Sequence, residues 1–244
     1  MKKKKNVIPG LGFLRETQVA AEIENARGPS HEYGIYINRT GLDVYLKRIF
    51  PEETFVHNQS VFSHDKRLKP DYRSDHLGLL VEFDGIDHYI KSDVVRRDER
   101  KTLKYIEAGY RVVRIPFFIQ LTCKAVKRLF QGLVDEDVID SLELFPDNIS
   151  GLPEFCNGVV PSLGKGCAPS DFCIDGILRA AKEFLQFEDQ YRASKEWLKN
   201  KCAGSRWEIL DHLYKVFGQM TDTEIGEFIA NGMNSIAPFG SMSA

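Results

Sequence analysis

The sequence predicts an α/β (α+β) fold: a mixed central sheet flanked by helices, followed by a mainly helical carboxy-terminal part. Three observations predict it. HLGLLVEF (76–83) is a continuous apolar run of strand length, as expected of a strand buried on both faces. A helical pattern from Ser92 to Ala108 and a second strand-like run, YRVVRIPFF (110–118), follow in the order strand, helix, strand that builds a βαβ-like unit. From residue 171 onward the apolar residues recur only at helical spacing.

The elements read as follows. Residues 12–50 have helical character: Leu14, Val19 and Ile23 recur at helical spacing, Tyr33, Ile35 and Ile37 interrupt, and Leu42, Tyr45, Leu46 and Ile49 resume until Pro51 stops the run. TFVHNQSVF (54–62) is rich in strand formers. In the 92–108 helix, Ser92 or Asp93 is the expected cap, Val95, Leu103 and Ile106 the expected inner side, and Gly109 a fitting stop. From Gly132 to Cys156 there are seven acidic residues and no Lys or Arg. Pro and Gly then cluster, so 146–170 reads as a linker. Beyond it, Ile174, Ile177, Leu178, Ala181 and Leu185 form one stripe and Trp207, Leu210, Leu213, Tyr214 and Phe217 another. The expected organisation is a basic arm and helix at 1–30, a core at 31–145, the linker, and a helical domain at 171–244 for recognition or dimerisation. Residues 221–235 resemble helix–turn–helix text weakly, and a plain core helix is the simpler reading.

The 244 residues hold 33 Lys plus Arg and 35 Asp plus Glu, a formal net charge of −2, and 43% hydrophobic residues. This is the composition of a soluble globular chain. It argues against a polycation that coats nucleic acid by charge alone. No apolar run reaches membrane-spanning length. The basic start MKKKK precedes only a short apolar stretch broken by Pro9 and Gly10, so it reads as an arm and not as a signal peptide. The five Cys residues lack C-x-x-C spacing, which disfavours a disulfide framework and suits a cytoplasmic location. Zinc at Cys156, Cys167 and Cys173, with Cys202 or His212, fits no standard spacing.

The chemistry lies in residues 69–116. Pro70-Asp71 precedes the apolar strand, and Glu82 and Asp84 end it at the same strand parity, so both point to one side. Asp71 reaches the same point if its segment lies beside that strand. Converging carboxylates repel, and a hard cation such as Mg²⁺ or Mn²⁺ relieves the repulsion. His88, just beyond the Gly85 turn, suits a general base or a holder of the scissile phosphate. Between 91 and 114, eight basic residues face four acids. Among them Lys91, Arg97, Arg100, Lys101 and Arg114 are the expected phosphate and DNA contacts. Each has a plainer reading: Glu82 or Asp84 pairing with an Arg, Asp93 as a cap, Asp98 as an ion-pair residue, and the basic run as a solvated helix face.

The ordered set Pro70, Asp71, Glu82, Asp84, Gly85, His88, Asp93, Arg97, Asp98, Leu103, Gly109, Tyr110, Val112 and Arg114 resembles the PD-(D/E)xK nuclease superfamily. It is closest to the branch resembling the very short patch repair endonuclease, and the match spans about residues 40–118. The resemblance implies a restriction-endonuclease-like core and Mg²⁺-dependent cleavage of double-stranded DNA, leaving a 5′-phosphate and a 3′-hydroxyl. It implies Asp71 as the central metal-binding aspartate, Glu82 as the second acid and His88 beside the phosphate; Asp84 is expected to support the metal that Asp71 and Glu82 hold. The sequence departs from the main pattern in having Asp84 where the family's lysine stands, and either Glu32 or Asp43 fits the first-helix acid. The expected function is a restriction or defence endonuclease acting as a homodimer. The rivals are a homing or mismatch-repair nicking enzyme, a non-cleaving DNA-binding protein, and a subunit of a transposition-type complex.

Overall fold

Alternation along one strand organises the molecule. In the computed structural model, which describes residues 42, 45–116, 118–119, 121–141, 156–157, 160–161, 172–201 and 205–231, four strands form a mixed sheet in the order β1-β2-β3-β4. They are β1 (Val56–His57), β2 (Tyr72–Ser74), β3 (Leu79–Asp84) and β4 (Arg111–Pro116). The first three are antiparallel, and β3 and β4 are parallel in a register that sets Glu82 opposite Arg114. Parallel neighbours need a crossover. Here it consists of the short helix α1 (Asp87–Ile90) and the long helix α2 (Ser92–Glu107), so the expected strand–helix–strand unit is present.

Odd positions of β3, Leu79 and Val81, join Tyr72, Val113 and Ile115 in the main apolar cluster with Leu42, Tyr45, Leu46, Ile49 and Val126. Even positions, Leu80, Glu82 and Asp84, face the other way, toward α2, and all three are buried. The buried face of α2 is therefore polar in part. Its buried residues are Val94, Val95, Asp98 and Tyr105. Leu103 and Ile106, expected on the inner side, are 58% and 55% exposed. Their hydrophobicity misdirects the reading, because the strand face opposite α2 carries carboxylates and needs Asp98, Lys101 and Thr102 as partners.

The cap also differs from expectation. Lys91 occupies the N-cap of α2 with no side-chain cap bond, and Asp93 lies in the first turn. Gly109 behaves as expected, with φ at 87° just past the helix. In 54–62 only Val56–His57 pairs as strand. The rest of that run turns back on itself before β2 begins.

After β4 come α3 (Cys123–Leu129), whose N-cap Thr122 accepts from the Ala125 N–H, and α4 (Glu136–Asp140) inside the acidic stretch. Of the expected linker the structure describes a two-residue antiparallel ladder, β5 (Cys156–Asn157) with β6 (Val160–Pro161). Four helices follow as the periodicity predicts: α5 (Ile174–Gln186), α6 (Glu188–Lys201), α7 (Ser205–Phe217) and α8 (Asp222–Ala230). Ile177, Leu178, Phe184, Leu210, Leu213, Phe217 and Ile225 share the same apolar cluster as the sheet. Of the helical zone expected at 12–50, residues 42 and 45–49 are helical, and its other residues before 45 lie outside the described ones, as do the amino-terminal arm, Glu32 and Asp43. Among the described residues no helix is long and apolar enough to cross a membrane.

Helix α5 approaches α1 very closely. The Cys173 N–H donates to the Tyr89 carbonyl at 2.9 Å, and the Cys173 sulfur accepts from the Gly176 N–H. A Cβ on Gly176 would sit 1.9 Å from that Tyr89 oxygen, so only glycine fits. Among the described residues neither Cys123 nor Cys173 is in a disulfide. Cys167 and Cys202, and the side chain of Cys156, lie outside the described residues.

Candidate active site

Two polar groups occupy the α2 side of the sheet. The first is built on Asp71, Glu82 and Lys101. Asp71 lies one residue before Tyr72, and Glu82 one residue after Val81, the partner of Tyr72 across the antiparallel pair. The two residues therefore stand opposite one another on adjacent strands. Asp71 Oδ2 accepts from the Phe83 N–H at 2.9 Å, which fixes its side chain along β3. Lys101 Nζ stands 2.6 Å from Glu82 Oε1, donates to the Lys69 carbonyl at 2.8 Å and lies over the Tyr105 ring.

Glu82 is only 4% exposed. Burial raises its pKa and outweighs the lowering by Lys101 and Arg114; the charge of Asp71 raises it further. Beneath this group, Tyr105 is fully buried, and its hydroxyl has no hydrogen-bond partner among the described residues. Burial raises its pKa first, and the nearby charge of Glu82 adds to the rise.

The second group is a closed ion-pair network. Arg114 donates to Asp84 through Nε at 2.7 Å and Nη2 at 2.5 Å, and to Thr102 Oγ1 at 3.0 Å. Arg179, from α5, donates to Asp84, lies 3.4 Å from Asp98, and pairs with Glu183 at 2.9 Å. Its guanidinium also covers the Tyr89 ring, whose hydroxyl donates to Glu183 at 2.7 Å. His88 Nδ1 is hydrogen-bonded to Asp98 and lies 3.2 Å from Asp84 Oδ1. Burial opposes ionisation of Asp84, but the Arg114 and Arg179 charges overcome it and hold the pKa far below the usual carboxylate range. Burial likewise opposes charge on His88, and the Asp98 hydrogen bond with the Asp84 charge leaves its pKa raised.

Asp84, His88 and Asp98 each offer one ligand atom, all within 4.8 Å of one another, which is the composition of a metal site. Arg114 already spans both oxygens of Asp84, and Arg179 reaches Asp84 and Asp98, so the negative charge there is met from within the protein.

The sequence-predicted residues thus divide. Asp71 and Glu82 stand opposite one another on the antiparallel pair, with Lys101 on Glu82. Asp84, His88 and Arg114 meet in the second group. Lys91 pairs with Asp87 at 2.9 Å on the exposed surface, and Arg97 and Arg100 are exposed on α2. From sequence Asp98 is expected to be no more than a helix-surface or ion-pair residue, and Arg179, Glu183 and Tyr105 are not among the expected site residues. A polar residue every third or fourth position on α2 (Asp98, Lys101, Thr102, Tyr105) is a signal for the first group of these. Arg179 lies 95 residues from Asp84 and has no local signal. In comparisons with known proteins, no family model, no curated protein and no solved structure matches this chain.

Proposed function

We propose that the protein is a metal-dependent DNA endonuclease built on a restriction-endonuclease-like core of the PD-(D/E)xK type. One observation supports this most: Asp71 and Glu82 stand opposite one another on adjacent antiparallel strands, with the ammonium of Lys101 on Glu82. On this reading Lys101 of α2 would take the place of the lysine that is absent beside the second acid in sequence. The donor set fits a hard divalent cation: it is a pair of carboxylates, one of them buried with its pKa raised by that burial, and a positive charge between the two offsets their repulsion.

Asp71 and Glu82 would hold Mg²⁺ or Mn²⁺, which would lower the pKa of a bound water and polarise the phosphoryl oxygen. The chain's own residues do the rest. The Phe83 amide orients Asp71. Lys101 orients Glu82 and places a fixed positive charge beside the acids, where an anionic phosphate must sit. His88, with Nδ1 committed to Asp98 and Asp84 and its pKa raised, suits an electrostatic or proton-giving role better than that of a base. Asp84 and Arg114 fix the end of β3 and the adjoining β4 against α5.

Incubation of mixed-sequence DNA with the protein and Mg²⁺, followed by sequencing of the ends, tests the proposal. Cleavage is expected, and Asp71→Ala and Glu82→Ala should each lose it by at least about a hundredfold. Cuts at one sequence in both strands support a restriction role, and single-strand nicks a repair or homing role. A protein that binds DNA but never cuts it is a binder or an assembly subunit, and the enzyme proposal then fails.

A further inference from the structure

We propose that the connection between β1 and β2, residues 58–71, is a preformed part of the DNA-binding surface, gripping backbone phosphates with Lys66, Arg67 and Lys69. This rests on the endonuclease reading of the Asp71–Glu82–Lys101 site and assigns that site its partner surface.

The connection is built as a rigid unit. Asn58 enters it with φ at 49° and its N–H donates to the Asp71 carbonyl, closing the base. Ser60 Oγ lies 2.8 Å from the Phe62 carbonyl and 2.7 Å from that of Asp65, the Val61 N–H reaches the Leu68 carbonyl, and Arg73 Nη1 donates to the Ser60 carbonyl at 2.8 Å. Phe62 stacks on Tyr105 of α2 with rings 6.4 Å apart. Lys101 bonds the Lys69 carbonyl and Glu82 together, so the end of the connection is fixed to the site itself.

What this frame displays is cationic. Lys66, Arg67 and Lys69 are exposed, and the Arg67 side chain is 91% exposed. The sole acid between 63 and 69, Asp65, is turned to Arg67 at 3.2 Å and Lys104 at 3.9 Å. On α2, Arg97 and Lys104 lie one turn on either side of Lys101, with Arg100 between, and all three are exposed. The loop packs on α2 through Phe62 and Asp65, so the two basic edges adjoin one another as one surface beside the carboxylate pair. Lys66, Lys69, Arg97 and Arg100 have no ion-pair partner among the described residues. A basic surface made of a loop and a helix suits a polyanionic duplex, and a connection held by its own hydrogen bonds has little entropy to lose on binding.

The test uses the full chain, with Ca²⁺ in place of Mg²⁺, and a fluorescein-labelled DNA duplex of mixed sequence read by anisotropy across a salt series. The triple variant Lys66→Ala/Arg67→Ala/Lys69→Ala should bind on the order of tenfold more weakly, with the slope of log affinity against log salt reduced by about 2 to 3. Its melting curve checks that it folds, and the single variant Lys66→Glu repeats the measurement if it does not. The α2 variant Arg97→Ala/Arg100→Ala/Lys104→Ala should show a similar loss. If the loop variants bind with unchanged affinity and slope while the α2 variant weakens, the loop proposal is overturned and the endonuclease reading stands. If the unaltered protein binds no duplex at any salt, both are overturned.

Discussion

At the scale of single residues, Glu82 and Asp84 are two positions apart and have opposite environments. Glu82 is buried beside one lysine and another acid, and its pKa is raised. A carboxyl that holds its proton more tightly folded than unfolded is stabilising at low pH and becomes a burden as pH rises through the folded value. Glu82→Gln should therefore raise the melting temperature in metal-free buffer at neutral pH while abolishing cleavage. Mg²⁺ should raise the melting temperature of the unaltered protein and not of this variant. Calorimetry checks both; a lower melting temperature for Glu82→Gln would contradict the assigned environment.

Asp84 has the opposite sign. Its pKa is depressed, so its contribution to stability is complete above the unfolded value of about 3.9 and is lost as pH falls below it. Arg179→Met leaves Asp84 short of one buried partner and should cost about 3–5 kcal/mol. His88 adds a third window. With its pKa raised, its stabilisation is complete below the unfolded value of about 6.5 and declines as pH rises through the folded one. The stability difference between the unaltered protein and His88→Gln, followed by urea titration, should shrink between neutral and alkaline pH.

At the scale of elements, β3 and α2 show what the sequence makes legible. The apolar run, the Gly109 stop and the parallel return of β4 are all local patterns, and each is present, although the strand expected from residue 76 begins only at Leu79, after a turn that Gly78 closes with φ at 57°. The orientation of α2 was not legible from hydrophobicity, because its most apolar exposed residues, Leu103 and Ile106, point to solvent. The helix turns according to the carboxylates beneath it. Leu103→Ala should change stability by less than about 0.5 kcal/mol, whereas Val95→Ala should cost about 1.5–3 kcal/mol. Denaturant titration of the two variants reads the orientation of the helix directly. The Asp71–Glu82 pairing was legible, since strand parity and one adjacent segment suffice to bring them together. The part of Lys101 in it required knowing which face α2 presents.

At the scale of the whole molecule, the helices after residue 172 and the sheet before residue 116 share one apolar cluster, and Arg179 ties them through Asp84 and Asp98. That tie could not be read from sequence, where a Pro- and Gly-rich stretch separates the two parts. Thermal unfolding should therefore be a single transition. A fragment ending before residue 172 should lose cooperative melting, because Tyr89 and Phe118 would lose Phe172 and Phe184 as ring neighbours. Two separated transitions, or a stable fragment, would contradict this.

The close approach of α5 to the Tyr89 carbonyl has a consequence for ancestry. A position where any side chain collides with backbone is closed to mutational drift, and the ionic contacts of Arg179 and Glu183 narrow drift nearby. Gly176-x-x-Arg179-x-x-x-Glu183, joined to Asp84-Gly85-x-x-His88-Tyr89, is thus a two-part fingerprint. Divergent descendants of the same ancestor would keep it after overall similarity has faded, and searching for both halves together is a way to find them.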